Sequence, residues 1–117
     1  MKLRIRGNSI RLRLVQSEVA ALREGRAVEE TVALAPSRLS YAIVSAAVPR
    51  VSARFDGARL VVEVPEATVA NFCDTDRVGF DATCGDVKVL VEKDWQCLAP
   101  RDEDEGDAYP HPRAGET

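Results

Sequence analysis

The strongest constraint on this chain is that one stretch of it returns in altered form. Residues 3–14 read LRIRGNSIRLRL, and residues 53–64 read ARFDGARLVVEV. In the first copy apolar residues stand at Leu3, Ile5, Ile10, Leu12 and Leu14. Arginines alternate with them at Arg4, Arg6, Arg11 and Arg13. A period of two marks strands with one buried and one wetted face. Gly7-Asn8-Ser9 breaks the pattern where a tight turn would join two such strands.

The echo extends well past the hairpin. At an offset of fifty residues without gaps, Arg4, Gly7, Val19, Ala20 and Val28 meet Arg54, Gly57, Val69, Ala70 and Val78. Ile5, Ile10, Leu12, Leu14, Leu22, Leu39 and Tyr41 meet Phe55, Leu60, Val62, Val64, Phe72, Val89 and Val91. An apolar phase kept through strand, helix and strand implies an internal duplication of β-β-α-β-β repeats. The first strands are expected at 2–6 and 53–56, the second at 10–14 and 60–64. A short helix follows in each, at 17–24 with Gly25 as its stop, and after Pro65 with Val69 and Phe72 as its buried stripe. Third and fourth strands are expected at 27–32 and 38–44, then at 78–83 and 87–92. They turn at Ala35-Pro36-Ser37 and at Cys84-Gly85-Asp86.

One such unit cannot bury its sheet face alone, whereas two units about a pseudo-twofold axis can. The expected fold is therefore mainly β with two short helices, the repeats forming a closed or nearly closed barrel. This places a single barrel domain at 1–96, with repeat one at 2–46 and repeat two at 52–96. An acidic C-terminal tail follows at 97–117.

Net charge is −3 and points to no partner by itself, but its distribution does. Residues 1–50 carry nine basic and four acidic side chains. Residues 51–96 carry five and nine, and 97–117 carry two and six. The leading residues lack the apolar core of a signal peptide, and no run is long enough to span a bilayer. The three cysteines, Cys73, Cys84 and Cys97, show no paired spacing and suit a reducing cytoplasm.

The first repeat resembles the AbrB/MazE-type swapped-hairpin barrel, a DNA-binding fold of bacterial antitoxins and transition-state regulators. The resemblance rests on Gly7-Asn8-Ser9, the alternating strand with Arg13, the helix ending Leu22-Arg23-Glu24-Gly25, and Val28-Glu29. The second repeat keeps the strand running into Pro65, then Asp76-Arg77-Val78 and Gly85-Asp86-Val87-Lys88. The whole chain is also similar to a family of uncharacterised small bacterial proteins. Those open with a G-N-S hairpin and end in V-E-K-D, a cysteine, an acidic run and Y-P-x-P, matched here by Val91 to Asp94, Cys97, 102–105 and Tyr109 to Pro112.

The AbrB/MazE resemblance implies a DNA-facing set of Arg4, Asn8, Ser9 and Arg13, with Arg6 and Arg11 adding charge. The second repeat departs from it, with Ala58 and Arg59 at the places of Asn8 and Ser9. Asp56 stands opposite Arg6, and Glu63 opposite Arg13. One chain then offers one basic and one acidic arm, and a symmetric grip on DNA requires a homodimer. The same arginine face also suits a protein partner. A third reading is a plain solvated surface whose arginines pair with Asp56 and Glu63.

The acidic stretch Asp102 to Asp107 can fold back on the basic face and occlude it, dock on a partner or solubilise the chain. Cys97 and His111, with Asp102, Asp104 or Asp107, are weak metal candidates, since a metal needs three or four converging ligands and the spacing fits no motif. No nucleophile elbow, phosphate loop or zinc-protease motif is present, so the expectation is a protein that is not an enzyme and uses no cofactor. Cys73 is expected as a small core residue and Cys84 at a turn, with Trp95 closing the last strand or anchoring the tail.

Overall fold

The computed structural model describes residues 1–94. The tail 97–117, Trp95 and the metal candidates Cys97 and His111 lie outside the described residues.

Each half of the described chain has the order strand, strand, helix, strand, strand. The first half holds β1 (Lys2–Arg6), β2 (Ser9–Leu14), α1 (Gln16–Arg23), β3 (Val28–Leu34) and β4 (Ser37–Ala46). The second holds β5 (Ser52–Asp56), β6 (Arg59–Pro65), α2 (Glu66–Asp74), β7 (Gly79–Cys84) and β8 (Val87–Lys93). Local chemistry sets these boundaries. The Val15 amide donates to Glu18 Oε1 at 2.9 Å, which opens α1. At its other end Gly25 takes φ +84°, and the Arg26 amide reaches back to the Ala21 carbonyl at 2.9 Å. Pro65 precedes the first turn of α2, where a missing N–H costs no hydrogen bond.

The hairpins are exchanged between the halves. One four-stranded sheet runs β1-β2-β8-β7 and the other β3-β4-β6-β5. We call them the first and second sheets. Each joins a leading hairpin from one half to a trailing hairpin from the other. The outer pairs are antiparallel, and the central pairs, β2 with β8 and β4 with β6, are parallel. Parallel neighbours cannot be joined by a tight turn, so this pairing demands long connections, which here include the helices.

Buried apolar side chains from both sheets and both helices form one core. Leu12, Leu14, Val89 and Val91 come from the first sheet, and Ile43, Val62 and Val64 from the second. Leu22, Val69 and Phe72 come from the helices. Phe72 meets Phe80 edge to face with ring centroids 5.2 Å apart.

Two expectations are corrected. The strands do not close into a barrel. Among the described residues β1 and β7 remain edges of one sheet and β3 and β5 edges of the other. The sheets approach beside β5 and β7, where the Cys84 thiol donates to the Val51 carbonyl at 3.4 Å. The second correction concerns register. Val62 partners Ile43, so an exact offset of fifty would partner Leu12 with residue 93. Leu12 instead partners Val91. The slip is two residues, and an even slip keeps every side chain on its own face.

The candidate basic face

Ladder partners share a face of a sheet, so the buried row Leu12, Val91 and Phe80 fixes the inner side of the first sheet. The outer side then carries Lys2, Arg4 and Arg6 from β1, Ser9, Arg11 and Arg13 from β2, and Lys88, Leu90 and Glu92 from β8. Arg4 stands directly opposite Arg11, Lys2 opposite Arg13, and Arg6 opposite Ser9. Ser9 stands beside Lys88 in the parallel ladder. Asn8 is exposed at the turn, and its carbonyl accepts the Lys88 amide at 2.9 Å.

All six residues of the sequence-derived set thus come together on β1, β2 and their turn. Two further cations complete the face. Lys2 was visible in the same alternation. Lys88 comes from the far half of the chain, and no local signal announces it, because only the β2–β8 pairing brings it there.

Like charges on directly opposite positions repel, so such a strip needs counter-charges. Arg11 Nε lies 2.9 Å from Glu92 Oε1, and Lys2 Nζ lies 3.0 Å from Asp94 Oδ2. Both acids come from β8 or its end. The expected partners were Asp56 and Glu63, and here the structure corrects the sequence. Those residues sit on the second sheet, where Glu63 pairs with Arg54 at 3.4 Å and Asp56 stands opposite Arg59. Arg13 and Glu63 occupy matching positions of two hairpins that belong to different sheets. Exchange of the hairpins sent each to a different neighbour.

The outer side of the second sheet is balanced. Arg59 Nε donates to Glu29 Oε2 at 2.8 Å, and the Thr31 and Ser40 hydroxyls are 3.0 Å apart. Its inner side carries apolar residues toward the turns. Val32, Leu34 and Phe55 are exposed, Phe55 at 66 %. Ile5 on the first sheet is 61 % exposed, against the burial its alternation implied.

The chain start forms a separate polar cluster. The Met1 amine pairs with Glu18 and with Glu30 Oε1, the latter at 2.6 Å, and the Tyr41 hydroxyl donates to Glu30 Oε2 at 3.0 Å. Burial works against the amine's charge, but the bonds to Glu18 and Glu30 outweigh it and raise its pKa above 8.0. The hydrogen bond from that amine holds the Glu30 carboxyl below its ordinary value. Burial, then Glu30, pushes the Tyr41 hydroxyl up. Burial, then the Asp74 charge, does the same to the half-buried Cys73 thiol. Among the described residues no three of His, Cys, Asp and Glu converge as metal ligands would, and no helix is long and apolar enough to cross a membrane.

Residues 1–113 match the model of a family of unknown function, DUF7009, and the chain belongs to that family. No curated protein matches it.

Proposed function

We propose that this DUF7009 protein is a cytoplasmic, non-catalytic DNA-binding protein of the regulator or antitoxin type, and that the outer face of its first sheet grips the phosphate backbone. The observation that carries the reading is the gathering of Lys2, Arg4, Arg6, Arg11, Arg13 and Lys88 on one sheet face from three adjacent strands. Strands lie roughly 4.8 Å apart, so the cations cover a patch about 10 Å wide, which suits several phosphates of one groove edge. Asn8 and Ser9 at the turn add hydrogen-bonding groups that position a backbone.

Two features support descent from a swapped-hairpin ancestor of AbrB/MazE type, by duplication within one chain. The element order repeats, and each sheet combines hairpins from both halves. In this reading the second sheet has lost the basic arm, and two copies of the chain together restore a symmetric grip.

The test is binding of the full chain to generic duplex DNA at low and moderate salt. Binding should weaken with salt at a log–log slope of about −0.9 per phosphate neutralised. No binding at low salt overturns the reading.

A second reading is a protein-binding adaptor. It is favoured by exposed apolar residues on the inner side of the second sheet, Val32 and Leu34 at its β3 edge and Phe55 at its β5 edge, since exposed apolar side chains can mark contact surfaces. In that case Phe55→Ser abolishes partner capture and leaves DNA binding unchanged.

A further inference from the structure

An open cavity of about 370 Å³ lies where β2 and β8 end against the two helices. That is the small end of ligand sites, which run from roughly 300 to 1,000 Å³. Leu14, Val19, Ala20 and Cys73 give it an apolar wall. The Cys73 thiol donates to the Val19 carbonyl at 3.5 Å and closes that wall between α1 and α2.

The charged groups that line it are unevenly matched. Arg23 Nε donates to both oxygens of Asp74, at 2.9 and 3.0 Å, so that cation is answered. Asp94 Oδ2 is answered by Lys2 Nζ at 3.0 Å. Lys93 has no acid partner among the described residues, yet its ammonium is held in place. The Lys93 amide donates to the Val78 carbonyl at 2.9 Å. Its Nζ donates to the Thr75 carbonyl at 2.8 Å and lies 5.3 Å from the centroid of the Phe72 ring. An ammonium carries three N–H donors, of which the Thr75 carbonyl takes one. A positioned cation beside an apolar wall favours one negative charge carried on an apolar body, because the wall shelters the body and its low dielectric strengthens the ion pair. A doubly charged anion would leave one charge unanswered beside Asp94.

We propose that this cavity binds a small monocarboxylic acid in its ionised form. Its apolar chain lies against Leu14, Val19, Ala20 and Cys73, and its carboxylate accepts from Lys93 Nζ. Lys93 sets the preference for an acid, and Arg23, already held by Asp74, does not.

Octanoate is the probe, with octan-1-ol and octylammonium as its neutral and cationic counterparts. Each is titrated calorimetrically into the full chain at concentrations where it stays monomeric. Octanoate should saturate one site per chain and bind roughly tenfold or more tighter than the alcohol, the margin a hydrogen-bonded charge pair supplies. Octylammonium should bind no better than the alcohol. Lys93→Met keeps an apolar stem and should bring octanoate down to the affinity of octan-1-ol. Ala20→Leu, at an exposed position of α1, adds bulk to the cavity wall while keeping a strong helix former, and should weaken acid and alcohol alike. Far-ultraviolet circular dichroism should be unchanged in both variants. Alkylation by iodoacetamide, followed peptide by peptide, locates the site: octanoate should slow it at Cys73 and leave Cys84 unaffected. The proposal is overturned if octanoate does not saturate a site, or if the parent chain binds the alcohol as tightly as the acid, a comparison that needs no variant. It is also overturned if Lys93→Met keeps the preference for the acid, if Ala20→Leu changes neither affinity, or if Cys73 is not protected. Equal protection of Cys84 overturns it too, since that marks uptake by apolar surface in general.

Discussion

The two leading hairpins share a backbone plan and part company in charge. Hairpin β1–β2 presents Lys2, Arg4, Arg6, Arg11 and Arg13 on its outer side. Hairpin β5–β6 presents Arg54, Asp56, Arg59 and Glu63, and its arginines reach Glu63 and Glu29 on the same sheet. The core positions beneath them are conserved in kind, with Leu12 and Leu14 answering Val62 and Val64 as fully buried residues. Burial constrains the inward row to apolar side chains whatever the function. The outward row is free to diverge. A charge difference between two equivalent faces is therefore the most informative feature of this molecule.

If the inner rows are purely structural, breaking either should cost stability in proportion to the atoms removed. Leu12→Ala removes a fully buried side chain from the first sheet, and Val62→Ala does so in the second. Leu12→Ala should lower stability by about 2–5 kcal/mol, and Val62→Ala by less because fewer atoms are lost. Urea unfolding measures both, and under the proposed function either variant that retains the fold should bind DNA as the parent chain does.

The next effect lies where the sheets solve one problem differently. Position 29 partners 42 in the second sheet as 79 partners 92 in the first. Ala42 opposite Glu29 leaves that acid free to reach Arg59. Gly79 opposite Glu92 leaves that acid free to reach Arg11. A Cβ on Gly79 would stand 2.5 Å from the Val91 carbonyl oxygen, and backbone there cannot yield cheaply. Gly79→Ala should therefore destabilise by roughly 1–3 kcal/mol and loosen the Arg11–Glu92 pair, read by urea unfolding.

The hairpin turns supply a smaller test. Gly57 and Ala58 both take positive φ, whereas in the first turn Gly7 does and Asn8 does not. Ala58 at φ +61° carries the steric cost of a left-handed L-residue. Ala58→Gly should raise the thermal midpoint, by a gain on the order of 0.5–1 kcal/mol. Asn8→Gly should give no such gain.

The smallest effect is the acid limb of the Met1–Glu30 contact. The Glu30 carboxyl is held below its ordinary value, so its stabilisation is present above the unfolded carboxyl range. It is lost as pH falls through the lowered pKa. Glu30 is about half exposed at 45 %, and solvent keeps the effect small. Glu30→Gln should lower the thermal midpoint slightly at pH 7, and the gap from the parent protein should close in acid.

Much of this was legible in the residues. Period-two alternation located the leading hairpins, and Gly25 and Pro65 marked a helix end and a helix start. Pairing between hairpins was not legible, because hydrophobic patterns give a strand its face but not its neighbour. That is why no sequence pattern brings Lys88 to the basic face, and why Arg13 stands beside Glu92 and not Glu63. Depth along a strand was also hidden. Ile5 and Phe55 carry the inward pattern yet lie near the turns, where exposure rises. Alternation cannot report how far the covering layer extends.

The proposed function requires one sheet face to bind DNA and its counterpart not to. The direct measurement compares Arg4→Ala with Arg13→Ala, made together, against Arg54→Ala with Arg59→Ala, in salt-dependent titrations with duplex DNA. The first double variant should lose most of its low-salt affinity and flatten the salt slope by about 2, while the second should match the parent chain. Equal losses in both variants, or a loss confined to the second, would contradict the account.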